Sequence, residues 1–102
     1  MLYELLVGYG YDVMACNSVT QALAYLESEC FDCIITDQVM PQMSGWDLLR
    51  ITREHWPKIP VILYSSMPPI ESASVLSFDA ELIKPISSEL LLDSLNKVLA
   101  RR

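Results

Sequence analysis

The sequence predicts an α/β domain: a doubly wound parallel sheet with helices on both faces. Helix-type and strand-type segments alternate along the whole chain, which is typical of this class. The strand-type segments are short, continuous apolar runs, as expected for strands buried on both faces. Polar residues follow these runs directly, at the carboxyl ends of the strands where such sheets bind their ligands.

Composition limits the function classes. The 102 residues are 52% hydrophobic with a net charge of −6, which fits one small folded domain over residues 1–102. The acidic balance argues against binding nucleic acid or an anionic membrane surface. No apolar run approaches the ~20 residues of a membrane span, and the N-terminus lacks a signal-peptide pattern. Three cysteines, an odd number, argue against a secreted disulfide scaffold. We therefore expect a cytoplasmic domain.

The first half of the chain predicts three elements. Leucines at i, i+3, i+4 spacing predict a helix over residues 2–9, and Gly10 is its natural stop. A short strand is predicted over residues 12–16. A Ser-x-x-Gln capping box that begins at Ser18 opens a second helix, which runs to about Ser28.

The middle of the chain predicts a buried strand, a capped helix and a second buried strand. The apolar run at 33–36 is the first of these strands, and Ser44 caps a helix over residues 45–55. Pro57 and Pro60 end that helix. The apolar run at 61–64 is the second strand.

The last part of the chain predicts a weak, serine-rich helix near 70–77 and a short strand at 82–83. Ser87 or Ser88 caps a final helix. The expected total is about four strands and five helices.

Three polar groups follow the predicted strands: Asp37, Ser65 with Ser66 as its neighbour in register, and Lys84. In a parallel sheet these groups converge at one edge. A carboxylate can attack a phosphoryl group, and a hydroxyl and an ammonium can bind phosphoryl oxygens. This combination indicates phosphate chemistry.

Three motifs give the chain its resemblance to the receiver domain of bacterial two-component response regulators. Asp37 is followed by Met-Pro three and four residues later and by Gly45 eight residues later. The run Pro-Val-Ile-Leu-Tyr-Ser ends at Ser65, and Lys84 precedes a proline, often through a cis bond in the family. The likeness covers essentially the whole chain and implies a flavodoxin-like receiver fold.

The resemblance also implies a function and its residues. Asp37 would accept a phosphoryl group from a histidine kinase or phosphotransferase. Mg²⁺ would bridge the carboxylate and the phosphoryl oxygens, with the backbone carbonyl of Val39 as a ligand. Ser65 would bind a phosphoryl oxygen and shift inward, while Lys84 would pair with Asp37 at rest and with the phosphoryl group afterwards. The domain would signal rather than act as an enzyme.

The chain departs from the family at its front. Family members open with a strand that ends in two acidic residues, and the present sequence begins inside the first helix. We expect one carboxylate and one carbonyl to hold Mg²⁺ weakly. Strands 12–16 and 33–36 would also have open edges. A truncated copy of an ordinary receiver would give the same sequence.

Three arrangements would repair the sheet: direct pairing of the second and third strands of the family fold, a strand at Leu2–Val7, or a homodimer, which we expect. An alternative function follows, in which a degenerate, unphosphorylated receiver acts as an interaction and dimerisation module. A third hypothesis is a redox or zinc function for the Cys30-x-x-Cys33 motif. Glu81 stands where many family members carry an aromatic switch residue.

Overall fold

The fold follows the predicted alternation of helices and strands. A computed structural model describes residues 2–38, 43–67 and 77–100. Its elements are α1 (Leu2–Gly8), α2 (Val19–Ser28), β1 (Ile34–Thr36), α3 (Gly45–His55), β2 (Val61–Ser65), β3 (Ala80–Ile83) and α4 (Ser88–Ala100). In these three segments of the chain, no helix is long and apolar enough to cross a membrane.

The three strands form one parallel sheet in the order β1-β2-β3. β2 is the central strand, and its residues Val61, Ile62 and Leu63 are at most 1% exposed. Thr36 of β1 pairs with Leu63, and Ser65 pairs with Ile83 of β3. All three strands therefore end at the same edge of the sheet.

Helices cover both faces of this sheet, which confirms the predicted fold class. On one face, Ile62 and Leu82 pack with Leu6 of α1 and with the apolar side of α4, which includes Leu91 and Leu95. The opposite face carries a smaller cluster of Leu49, Val61, Leu63 and Phe78, with Ile34 and Trp46 packed against it. Alternate residues of β2 thus serve the two cores, as expected of a strand buried on both sides.

Local sequence signals begin and end the helices as predicted. Ser44 and Asp47 form a reciprocal capping box at the start of α3. The Ser87 hydroxyl accepts a hydrogen bond from the Leu90 backbone N–H at 3.2 Å, so Ser87 rather than Ser88 caps α4. Gly10 lies in the turn that follows α1 and has a φ of +93°, a conformation that favours glycine.

The predicted strand at residues 12–16 is wrong, and so is the alternative that makes Leu2–Val7 a strand. Leu2–Gly8 is helical, and residues 12–16 belong to no strand. Strand structure needs a hydrogen-bonded neighbour, and the backbone of residues 12–16 makes no hydrogen bond to any described residue. A cleft of about 580 Å³ lies between this segment and β1.

Direct pairing of residues 12–16 with β1 is therefore also wrong. Within the described segments, the sheet has three strands rather than four, and the helices number four rather than five. The predicted weak helix near 70–77 lies outside the described residues except for Ser77, which is not helical.

Asp79 joins α3 to the start of the central strand. Its Oδ2 accepts hydrogen bonds from Arg53 Nη2 at 2.8 Å and from the Val61 backbone N–H at 2.7 Å. Arg53 also donates to the carbonyl oxygens of Ser77 and Ile59. Both charged side chains are less than one-third exposed. The pair therefore provides hydrogen-bond partners for backbone groups of the neighbouring loops and for the start of β2.

We predict that Asp79→Ala lowers the free energy of unfolding by about 1–3 kcal/mol, because it leaves Arg53 and the Val61 N–H without their shared acceptor. The matched control is Asp93→Ala, which removes the exposed Asp93–Lys97 pair on α4 and should cost about 0.5 kcal/mol or less. Urea unfolding of both variants measures the difference, and equal stability would contradict the structural role of Asp79.

Candidate functional site

The ends of the three strands bring the predicted site residues to one edge of the sheet. Asp37 follows β1, Ser65 is the last residue of β2, and Lys84 follows β3. The Lys84 backbone N–H donates to the Ser65 carbonyl oxygen at 2.7 Å. The parallel register therefore fixes the backbone of these residues close together.

Asp37 presents an accessible carboxylate at this edge. Its side chain is 33% exposed, and its Oδ2 lies 3.6 Å from Lys84 Nζ. The Asp37 Oδ1 atom accepts a hydrogen bond from the Gln38 backbone N–H at 2.7 Å. The carboxylate thus faces solvent with a positive charge beside it, which favours the approach of an anionic molecule.

The Lys84 ammonium makes two contacts at this edge of the sheet. Its ammonium lies 3.6 Å from the Asp37 carboxylate and 4.8 Å from the centre of the Tyr64 ring. The Lys84–Pro85 peptide bond is cis. A cation on an aromatic face and beside a carboxylate is well placed to interact with further negative charge.

Ser65 lies deeper than Asp37 and contacts a residue to which we assigned no role from sequence. Ser65 is 1% exposed, and its Oγ accepts hydrogen bonds from Gln38 Nε2 at 3.2 Å and the Met67 backbone N–H at 3.4 Å. Ser66, the alternative in register, is exposed. Ser65 is therefore the serine that faces the interior of the site.

Gly45 allows α3 to begin directly against the Asp37 loop. Its backbone N–H donates to the Gln38 carbonyl oxygen at 3.1 Å. A Cβ atom at Gly45 would overlap the backbone carbonyl oxygen of Asp37. The glycine eight residues after Asp37 is therefore required by close approach of two backbones.

A magnesium site is only partly supplied by the described residues. Asp37 offers one carboxylate, and the expected second ligand, the Val39 carbonyl, lies outside the described residues. Across the segments that the structure describes, no three acidic, histidine or cysteine side chains cluster as a metal site. Mg²⁺ prefers several hard oxygen ligands, so these residues alone do not fit a tight site.

Two of the three cysteines, Cys16 and Cys33, line a cavity that also includes Asp37. No disulfide joins the three cysteines; Cys33 packs against the α1/α4 core, whereas Cys30 is exposed. Burial raises the pKa of the Cys16 thiol, which disfavours its reactive thiolate form. His55 is exposed at the end of α3. Nothing in these positions supports a redox or zinc function.

The fold and this edge define a class of protein: a parallel α/β domain with a carboxylate–lysine pair at the carboxyl ends of its strands. The family model for the response regulator receiver domain matches residues 1–96. The chain belongs to that family.

The curated relatives are response regulators. The transcriptional regulatory protein ZraR of Escherichia coli K12 is 35% identical over 103 aligned residues, which cover 98% of this chain and 23% of that protein. The chemotaxis protein CheY of Pseudomonas aeruginosa is 32% identical over 87 residues, or 80% of this chain and 70% of CheY. The chain thus spans about a quarter of the length of ZraR.

Solved receiver domains share the fold. The signal receiver domain of an HD domain-containing protein from Pseudomonas fluorescens is 28% identical, with a TM-score of 0.90 over 98% of this chain and 83% of that one. A response regulator from Chloroflexus aurantiacus is 27% identical, with a TM-score of 0.87 over 99% of this chain and 87% of its own. These matches agree with the predicted flavodoxin-like receiver architecture.

We predict that Gly45→Ala lowers the free energy of unfolding by about 1–3 kcal/mol, because the added methyl group pushes α3 away from the Asp37 carbonyl. Gly8→Ala is the matched control, since nothing lies within 4 Å of a Cβ at that position, and it should change stability by about 0.5 kcal/mol or less. Thermal and urea unfolding measure both. A Gly45 variant as stable as wild type would show that the two backbones do not need this approach.

Proposed function

We propose that this domain accepts a phosphoryl group on Asp37 from a sensor histidine kinase or a phosphotransferase, and that the modification controls signalling. One observation carries the proposal: a carboxylate that is one-third exposed lies 3.6 Å from an ammonium at the carboxyl edge of a parallel sheet. Membership of the receiver family supports it.

The proposed transfer is a displacement at phosphorus. A carboxylate oxygen of Asp37 bonds to the phosphorus of a phosphohistidine, and the P–N bond breaks. The electron pair of that bond returns to the imidazole nitrogen, which leaves an acyl phosphate on Asp37. Lys84 then faces the phosphoryl oxygens instead of the carboxylate, and the Ser65 hydroxyl donates to one of them.

Mg²⁺ is expected for the family and would neutralise phosphoryl charge when bound. Asp37 is the carboxylate that would contact it. Because the described residues do not form a chelating set, the proposal depends on Asp37, Lys84 and Ser65 themselves.

Receiver domains are signalling modules, and we propose that this chain takes one phosphoryl group and turns over no other substrate. We propose a cytoplasmic location, since no disulfide joins the three cysteines, as is usual in a reducing compartment. The charge of −6 does not favour nucleic acid as a direct partner of this domain.

We predict that phosphoramidate or acetyl phosphate labels the wild-type chain and that Asp37→Asn abolishes the label, because the amide is not a nucleophile. Lys84→Met should slow labelling about 10-fold or more, since it removes a charge-assisted contact to the phosphoryl group. Phosphate-affinity gels measure the labelled fraction. The assay is run with and without Mg²⁺.

The controls use a second carboxylate–lysine pair in the same chain. Asp93 and Lys97 form an exposed pair on α4, with a 3.1 Å contact. Asp93→Asn and Lys97→Met should label at the wild-type rate. Labelling that survives in Asp37→Asn would remove the phosphoacceptor proposal.

We also propose a homodimer formed at the open edge of β1. The Ile34 backbone N–H donates to the Pro60 carbonyl, on the β2 side. Because successive residues of a strand direct their backbone groups to opposite sides, the N–H and C=O of Ile35 point towards the cleft. Ile35 and the unpaired segment 12–16 both line that cleft. An open strand edge is a template for pairing with another chain, and a second copy is the partner that we propose.

We predict a dimer in light scattering that Met14→Lys converts to monomer, because Met14 lines the cleft and a charge there opposes strand pairing. Met67→Lys is the matched control, since both methionines are 42% exposed and Met67 is not among the residues that line this cleft. A wild-type chain that stays monomeric at every concentration would exclude the dimer and leave the phosphoacceptor proposal intact.

A further inference from the structure

Gln38 is a buried amide whose hydrogen bonds connect three parts of the site. It is 1% exposed. Its Nε2 donates to Ser65 Oγ at 3.2 Å and to the Met67 carbonyl oxygen at 3.1 Å. Its Oε1 accepts from the indole Nε1 of Trp46 at 3.4 Å. Both amide hydrogens and the amide oxygen therefore have partners on β2, on the segment after β2 and on α3.

The chemistry of two partners fixes which way the amide points. An indole N–H can only donate, so Trp46 requires the amide oxygen. A backbone carbonyl can only accept, so Met67 requires the amide nitrogen. In the reversed amide, the NH₂ group would face the Trp46 indole N–H, and the amide oxygen would face the Met67 carbonyl oxygen. Neither pair can form a hydrogen bond, so buried polar groups would be left unsatisfied. The NH₂ group of Gln38 must therefore face Ser65.

This orientation determines what the Ser65 hydroxyl can do. A hydroxyl has one hydrogen and two lone pairs. Gln38 and the Met67 backbone N–H both donate to the Ser65 oxygen, which uses the two lone pairs. The hydroxyl hydrogen is then left to donate, and none of the hydrogen bonds between described residues uses it.

We propose that Gln38 is a positioning residue, which commits the Ser65 hydroxyl to donating a hydrogen bond towards an anion on Asp37. The inference rests on the proposed phosphoacceptor function and assigns a role that the resemblance did not supply. Gln38 follows Asp37 directly, and its own backbone N–H binds the Asp37 carboxylate. One residue thus holds both the acceptor carboxylate and the hydroxyl that meets the phosphoryl oxygen.

A methionine would fill the same space without binding these groups, so Gln38→Met tests the role of the amide. We expect the variant to bind beryllofluoride, an analogue of the phosphoryl group, about 3- to 10-fold more weakly than wild type, because the Ser65 hydroxyl can then turn away. Calorimetry with Mg²⁺ in the buffer measures the affinity.

The decisive comparison repeats Gln38→Met in a Ser65→Ala background. If Gln38 acts through the Ser65 hydroxyl, the substitution should change affinity less than about 2-fold once that hydroxyl is gone. An equal loss in both backgrounds would mean that Gln38 only supports the structure, and it would overturn the inference. So would unchanged or tighter binding by the single variant.

A measurement on the wild-type chain covers the case in which the variants fold poorly. Beryllofluoride should shift the nuclear magnetic resonance signals of the Gln38 side-chain amide and of the Trp46 indole N–H. The Trp56 indole is the internal control and should not move. If the chain binds the analogue but the Gln38 and Trp46 signals do not shift, the inference is overturned and the proposed function stands. If the wild-type chain does not bind the analogue, both the inference and the proposed function are overturned.

Discussion

The central strand β2 is the constraint on which the rest of the structure depends. It pairs in parallel with β1 on one side and β3 on the other, and both of its faces are covered by helices. Parallel pairing in this register leaves the ends of all three strands at one edge. The Asp37–Lys84 ion pair is a consequence of that register, because each residue directly follows a strand that pairs with β2.

The same arrangement buries the residues of the site to different degrees. Asp37 and Lys84 lie on the outer strands and remain partly exposed, so an incoming donor can reach them. Ser65 ends the central strand and is buried. A buried hydroxyl needs partners that fix its hydrogen, and Gln38 supplies one of them from the loop that also holds Asp37. Accessibility and orientation thus come from neighbouring elements of one sheet.

Local patterns were sufficient to predict most of the elements, because caps, apolar runs and strand-end polar residues act over a few positions. The strand at 12–16 was wrong, since a short apolar run describes the segment but not whether a neighbouring strand exists to pair with it. Gln38 and Asp79 were missed for a related reason: each gains its role mainly from partners 18 to 29 positions away. Gln38 bonds Ser65 27 positions on, and Asp79 bonds Arg53 26 positions back.

The position of Gln38 directly after Asp37 was the available signal, yet sequence alone does not show that its amide meets Ser65. The open edge of β1 is likewise visible only once the sheet order is known. Homodimer formation and phosphoryl transfer remain distinct proposals, since one depends on backbone groups of β1 and the other on side chains at the strand ends.

The most direct test of the central claim is to locate the phosphoryl group chemically. After treatment with phosphoramidate, borohydride reduces an acyl phosphate on an aspartate to homoserine, and tandem mass spectrometry of peptides finds the converted residue. The account predicts conversion at Asp37 and at no other carboxylate. Conversion at an exposed residue such as Asp12 or Asp93, or none at all, would contradict it.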